Sequence, residues 1–377
     1  MMKFRTKSHF LGPAFLCTMI VCVANTPLLA QPAAAEQKKL PAARTLEQVL
    51  GEMQPALTEL NGALEPAIMT SAAKRAEVAP KILPLTKKLL AFGPALEATG
   101  AEGKAVSTQI RSELLPIIAL VADAESIAML KQMSGSADPE LARTAKLAMI
   151  TADWWKSSQD AAAQAKVIAP AIELAKANAT SNEIAAGFST LARRGAASRE
   201  LANQIAAVIT DNMSGPFVDQ FKQTWTAITG LHARENKPLV ITGTTVDGKA
   251  FTTADLAGKV ILVDFWAVWC LPCRAALPEV KQAYSTYHDK GFEIVGVSSD
   301  FSAQTLNSFI ESEQGMPWPQ LFDPTAAAKE KWNSIATGFD LESVGLPSMF
   351  LIDKKGILRT VDAAENFKEM IPKLLAE

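Results

Sequence analysis

Two textures of hydrophobic and polar positions divide the chain. From about residue 42 to 235, apolar residues recur every three or four positions, as in Ile184, Phe188 and Leu191, then Leu201, Ile205, Val208 and Ile209. That period marks one face of an amphipathic helix, and Ala, Leu, Glu, Lys and Gln around it are good helix formers. Breaks fall at Gly93-Pro94, Ser134-Gly135, Asp138-Pro139, Thr180-Ser181-Asn182, Gly195 and Ser214-Gly215-Pro216. Ser181 and Asn182 ahead of Glu183 form a helix start. The pattern predicts an all-α helical domain of six to eight helices arranged as stacked hairpins, without a fixed-period repeat. Trp154-Trp155 reads as a pair filling a core gap rather than holding a ligand.

After about residue 236 the period changes. LVITGTTVDGKAFTTADLAGK predicts a hairpin around Asp247-Gly248. KVILVDFW and FEIVGVSSD predict strands, separated by the helix PCRAALPEVKQAYSTYH. SAQTLNSFIESEQ (helix), WPQLFD (short strand) and TAAAKEKWNSIA (helix) follow. SMFLIDKKGILRTVD predicts a hairpin turning at Lys355-Gly356, and AAENFKEMIPKLLAE a closing helix. Strands alternating with helices indicate an α/β layer sandwich over residues 236–377, and nearly continuous apolar strands indicate a buried sheet.

The N-terminus changes the setting. Lys3, Arg5 and Lys7 precede the apolar run FLGPAFLCTMIVCVA, and small residues follow near Ala30 and Ala33-Ala35. This is the layout of a secretory signal over residues 1–30, followed by a flexible leader at 31–41. An uncleaved N-terminal anchor is the alternative; the protein is exported in either case. With 49% hydrophobic and 20% charged residues and a formal charge of −2, the chain is globular, and it has no basic tract for nucleic acid. Of its four cysteines, Cys17 and Cys22 leave with a cleaved signal. Cys270 and Cys273 remain, concentrated in one turn where a bridge closes almost no loop and adds little stability.

A cysteine pair of that kind points to chemistry. The strand KVILVDF ends just before it and a helix begins at it, which places Cys270 at a helix N-terminus. Unpaired N–H groups and the helix dipole stabilise a thiolate there. Cys270 is thus the candidate nucleophile. Cys273, one turn on, is the candidate resolving cysteine, closing a redox disulfide Cys270–Cys273. Pro272 suits the first helical turn, where its missing donor is not needed. Asp264 lies in the apolar run ILVDFWAVW; burial there raises a carboxyl pKa and suits proton transfer with Cys273. The alternative is a capping or solvated acid at a strand edge.

ILVDFWAVWCLPC, followed by Pro278 and later by GLPSMFLIDKKG, resembles the thioredoxin superfamily over about residues 238–377. The hairpin before the first core strand and the inserted helix–strand unit resemble its exported TlpA/ResA-like thiol-disulfide oxidoreductases. The resemblance implies a thioredoxin-like fold, a central mixed sheet flanked by helices. It implies a cis-Pro347 that faces the cysteines and docks substrate. Trp269, Leu271, Pro272 and Leu346 then line the substrate groove, with Leu346 near the sulfurs and tuning their potential. It further implies disulfide-bearing exported clients and no cofactor beyond the cysteine pair. An exported reductase in an oxidising compartment must in turn be recharged from the membrane, so a transmembrane electron donor is the expected partner if the protein reduces. Two positions depart from the branch. Ala276 stands where many members carry Glu, and Asp264 where many carry Asn, so proton handling falls to Asp264 alone. The segment between Trp332 and Pro347 is longer than in compact members, which alters the groove rim.

Rival readings differ in what they need near the sulfurs. A zinc site needs about four ligands; His232 and His288 show no ligand spacing with the cysteines, so no metal is expected. A peroxiredoxin-like peroxidase needs a Pro and a Thr where this chain has Val263 and Ala267. A third reading makes the helical domain the working part, an interaction protein carrying a thioredoxin-like module.

Overall fold

The computed structural model describes residues 44–64, 72–121, 123–313 and 315–377. The expected signal segment 1–30 and leader 31–41 lie outside the described residues. Two units divide at Val218/Asp219.

The first unit is helical: α1 (Leu46–Ala63), α2 (Ala72–Leu90), α3 (Gly93–Glu97), α4 (Ala101–Val121), α5 (Ala124–Ser134), α6 (Pro139–Lys156), α7 (Ala161–Ala165), α8 (Ile168–Ala177), α9 (Asn182–Arg193) and α10 (Arg199–Asn212), with α11 (Pro216–His232) crossing the division. Side chains cap the helix starts. Thr45 and Gln48 form a reciprocal capping box on α1. Asp123, Asp138, Asp160, Ser181 and Ser198 accept first-turn N–H groups of α5, α6, α7, α9 and α10. Eleven helices among the described residues before 236 exceed the expected six to eight. The extra ones include α3 and α7, five residues each, too short for a 3.6-residue period to register. All six expected breaks fall at helix ends.

Two of the clusters in this unit join its first helices. Val49, Met53, Leu60, Ile82, Leu89 and Leu114 join α1, α2 and α4; Leu115, Ile118, Leu130, Ala145 and Ala148 join α4, α5 and α6. Trp154 is fully buried and its indole donates to Arg194 O at 3.1 Å. Gln164, also fully buried, ties the same corner by donating to Trp154 O (3.1 Å) and Gly195 O (2.7 Å) and accepting from Ala197 N–H (2.7 Å). Gly195 adopts φ +72°, and a Cβ there would lie 2.7 Å from the Trp155 ring, so only glycine allows this close turn. The tryptophan pair is core material.

Most of α11 falls in the second unit, so the division lies before the expected boundary at 235/236. The reason is packing at the helix end. Leu231 enters the sheet's core, Thr224 Oγ1 donates to Ser343 O at 3.1 Å, and His232 Nε2 meets Asp362 Oδ2 at 2.8 Å. A two-stranded hairpin, β1 (Thr242–Thr244) and β2 (Ala250–Thr252), precedes the main sheet. That sheet holds β3 (Val260–Trp266), β4 (Phe292–Ser298), β5 (Gln320–Leu321), β6 (Ser348–Ile352) and β7 (Leu358–Thr360), in the order β5-β4-β3-β6-β7. β3 runs parallel to β4, and β4 to β5; β6 is antiparallel to β3, and β7 to β6. With α12 (Leu271–Tyr287), α13 (Ala303–Ser312), α14 (Pro324–Ala327), α15 (Ser334–Gly338), α16 (Leu341–Val344) and α17 (Phe367–Ala376), this is a thioredoxin-like mixed sheet flanked by helices.

The segment leading into β3 closes both margins of the sheet. Asn236 N–H donates to Leu358 O (2.7 Å), Leu358 N–H to Lys237 O (2.9 Å) and Leu239 N–H to Gly356 O (2.9 Å), at and just before the start of β7. At the other margin Val246 N–H donates to Gln320 O (2.8 Å) and Phe322 N–H to Thr244 O (2.9 Å). One expected helix is broken. TAAAKEKWNSIA forms α14 and α15 separately, because Glu330 turns into the left-handed region at φ +52°. Buried Asn333 then bonds Ser298 O at 3.1 Å and caps α15.

Trp154→Ala is expected to destabilise the helical unit by about 3–5 kcal/mol. Urea unfolding followed by far-UV circular dichroism checks this, and an unmoved midpoint would show that the indole does not support the core.

Candidate active site

Alternation along β3 sorts its side chains. Val260, Leu262 and Trp266 pack with Cys270, Cys273 and Leu277 of the following helix. Ile261, Val263 and Phe265 enter the opposite core. Asp264 therefore shares the face that carries the cysteines. It is buried, 5% exposed, on a strand paired on both sides, which rules out a solvated edge position. Its Oδ1 has no hydrogen-bond partner. Burial pushes its pKa up to about 7, because an ionised carboxyl is poorly solvated in an apolar layer.

Beyond Trp266 the chain turns and enters α12 at Leu271, with Cys270 as the N-cap and Pro272 in the first turn. Cys270 Sγ accepts the Cys273 N–H at 3.2 Å. The two sulfurs are joined in a disulfide. Both cysteines are buried, at 5% and 6% exposure, so Cys273 is not the more shielded of the two in this oxidised form. The rim beside them is open: Trp269 is 46% and Leu271 70% exposed. The Trp269 ring stacks on Phe301 (centroids 6.2 Å apart) and tilts against Trp332 (5.7 Å). These aromatics form an apolar shelf at the cysteine turn.

Sequence reasoning missed the residue that holds this turn. Asp300, just past β4, is buried; both its carboxylate oxygens accept the Val268 N–H, at 2.9 and 3.1 Å, and Ser298 Oγ donates to it at 2.8 Å. Ser299 N–H also donates to Trp266 O at 2.9 Å. Burial raises the Asp300 pKa, against the lowering effect of the Ser298 and Val268 bonds. An acid closing FEIVGVSSD was the available signal, since β4 runs parallel to β3 and the two strands end together.

Leu346–Pro347 is a cis bond. It immediately precedes β6, where Ser348 pairs with Phe265 and Met349 with Asp264. Pro347 thus sits at the same end of the sheet as the cysteine turn. Leu346 is half-buried and packs against the core containing both cysteines. Ala276, in place of an acid, also packs against that core. The histidines serve elsewhere: His232 bonds Asp362, and His288 stacks on Tyr284 near Glu293.

The raised Asp264 carboxyl gives a signed pH dependence. The folded chain holds that proton more tightly than the unfolded chain, where an Asp titrates near ~3.9. Its stabilising contribution is full below ~3.9 and is lost as pH rises to about 7. Asp264→Asn should therefore unfold at higher denaturant than wild type at pH 8, by about 1–4 kcal/mol, with the gap closing by pH 4. Parallel stability curves for the two proteins would contradict this assignment.

The AhpC/TSA family model matches residues 236–361. A thiol-disulfide oxidoreductase ResA from Bacillus thuringiensis is 30% identical over 128 residues, 34% of this chain and 68% of its own length. The ResA of Oceanobacillus iheyensis is 32% identical over 117 residues, 31% of this chain and 55% of its own length. The chain thus spans between about half and two thirds of these relatives. A crystal structure of a thiol:disulfide interchange protein of the thioredoxin family from Chlorobium tepidum is 26% identical, covers 38% of this chain and 97% of that one, and gives a TM-score of 0.31. The similarity lies within the unit that carries Asp264 and the cysteine turn, and through that unit the chain belongs to the thiol-disulfide oxidoreductase family represented by ResA.

Proposed function

We propose that the protein exchanges electrons with disulfide-bearing client proteins outside the cytoplasm, through Cys270 and Cys273, and works as a reductase or isomerase. The observation that carries this reading is the disulfide at the first turn of α12, on the same sheet face as the buried Asp264 carboxyl, whose Oδ1 has no hydrogen-bond partner. The signal-like N-terminus supports the location. Among the described residues no helix is long and apolar enough to cross a membrane.

In the reduced protein, Cys270 is the attacking sulfur. As N-cap it faces the free N–H groups of α12, including that of Cys273, and these favour its thiolate. The thiolate attacks one sulfur of a client disulfide, forming a Cys270–client bond and releasing the other client sulfur as a thiolate that takes up a proton. Cys273 then gives its proton to ionised Asp264 and attacks Cys270 Sγ. The Cys270–Cys273 bond forms, the client bond breaks, and the second client sulfur leaves and is protonated. The client gains two electrons and two protons, which the dithiol loses. An acid titrating near neutrality is suited to this transfer. No further cofactor enters the cycle.

Trp269, Leu271 and Pro272 on one side, with Leu346 and Pro347 on the other, form the docking rim. Resetting the disulfide requires an outside dithiol; in an exported protein a transmembrane electron carrier suits that need. Direction follows from the potential of the pair against its surroundings. The peroxidase reading lacks its hydroxyl: Ala267, buried beside the turn, offers none to orient a peroxide.

Mature protein should reduce insulin with dithiothreitol as donor. Cys270→Ser should fall to the uncatalysed rate, and Cys273→Ser should accumulate client mixed disulfides visible on non-reducing gels. Equal turnover by Cys270→Ser would refute the exchange reading. A redox titration giving a potential near those of strongly oxidising dithiols, about −120 mV, would reverse the direction.

A further inference from the structure

One row across the sheet contains an arrangement that the exchange cycle does not explain. Met349 of β6, Asp264 of β3, Gly296 of β4 and Gln320 of β5 are successive register partners. Their positions share the face that carries the cysteines. Gly296 contributes no side chain, and the Gln320 side chain fills its place. A Cβ at Gly296 would lie 2.0 Å from Gln320 Oε1 and 2.8 Å from its Nε2. Gln320 therefore lies over the β4 backbone and reaches toward β3. There Trp266, two residues beyond Asp264 on the same face, donates its indole N–H to Gln320 Oε1 at 2.9 Å.

That bond settles which way the amide points. With Oε1 taken by Trp266, the Nε2 donor is left over, and it is buried without a partner. Asp264 Oδ1, an acceptor in the same row, is buried without a partner as well. Buried polar atoms are ordinarily satisfied. A donor and an acceptor left over together, across a residue with no side chain, are complementary. One water can bridge groups that stand beyond direct reach.

We propose that Gln320 is a positioning residue for Asp264: its Nε2–H, through one bridging water, holds the carboxyl in the orientation from which it takes the proton of Cys273. This rests on the exchange reading above. On this face the Trp318 indole N–H is a second buried donor without a partner, but Trp318 is not among the register partners that link Gln320 through Gly296 to Asp264. α12 presents Cys270, Cys273 and Leu277, and β3 presents Leu262 and Trp266. β4 presents Ile294 and Ser298, and β6 presents Met349 and Leu351. Phe367, Ile371 and Leu374 come from α17, and Leu306 from α13. The cysteines, with Tyr284 and Tyr287 of α12 packed against this core, are the titratable members. Asp300, beyond the end of β4, is engaged by Val268 and Ser298. A donor aimed at a carboxyl favours the ionised form, so removing Gln320 raises the pH at which Asp264 ionises.

The test is a carboxyl-carbon NMR titration of Asp264 in the full chain, oxidised, for wild type, Gln320→Met, Gly296→Ala and the double variant. Gln320→Met keeps the length and removes the N–H. Gly296→Ala keeps the glutamine and displaces its flexible end. Each single variant should move the midpoint up by about one unit. The double variant should move it no further than Gln320→Met alone, since both act through one group. Insulin reduction at pH 7 should slow about three- to tenfold in kcat, with KM unchanged. An unmoved midpoint in folded Gln320→Met, or fully additive shifts in the double variant, would overturn the proposal. The titration needs no client, so it reports on Gln320 whether or not wild type proves to exchange disulfides.

Discussion

A helix that starts inside a protein must find acceptors for its first N–H groups, and in α12 that acceptor is a sulfur. Cys270 caps the helix with its side chain, so the group that satisfies the backbone is also the group that would react. The rest of the site follows from keeping that sulfur in place. Asp300 fixes the approach to the turn through Val268, Ser299 ties the end of β4 to Trp266, and Asn333 anchors the segment behind Trp332 to the same strand end. Two polar side chains and one backbone bond, none of them part of the disulfide, thus help to determine where it sits.

Below the turn the balance shifts from hydrogen bonding to burial. Every residue of β3 is buried, and Asp264 is the single charged group in it. An apolar side chain would have made a more stable strand. Retaining an acid lets the proton balance of the layer respond to pH near neutrality, which no aliphatic residue can do. Gly296 shows the accompanying compromise: a β-branched residue would suit the centre of a sheet better, but its side chain would occupy the space that Gln320 fills.

Much of this was legible in the residues. The strand KVILVDFW, the helix start at the cysteines, the hairpins at Gly248 and Gly356 and the short strand at Gln320–Leu321 all follow from local pattern and turn chemistry. Other features depended on distant partners. TAAAKEKWNSIA has helical composition throughout, and only the buried bonds of Asn333 to β4 explain its break. Asp300 carries no local mark of its task, because its partner lies 32 positions earlier in the chain. The place of α11 was hidden for a related reason: its composition matches the helices before it, while Leu231 and His232 are claimed by the unit after it. The Gln320 side chain illustrates the limit most sharply, since its orientation depends on an absent side chain two strands from Asp264's own neighbour β6.

The stretch that precedes β3 has a consequence for how other chains can approach. Residues 236–239 bond Leu358 of β7 and Gly356 just before it, and residues 244–246 bond Gln320 and Phe322 at β5. At these positions the outer strands β5 and β7 are covered and present no template for an incoming strand. Strand addition directly onto β5 or β7 is thereby hindered at those positions. Residues 236–246, part connector and part hairpin, act as a gasket over the outer strands of the sheet.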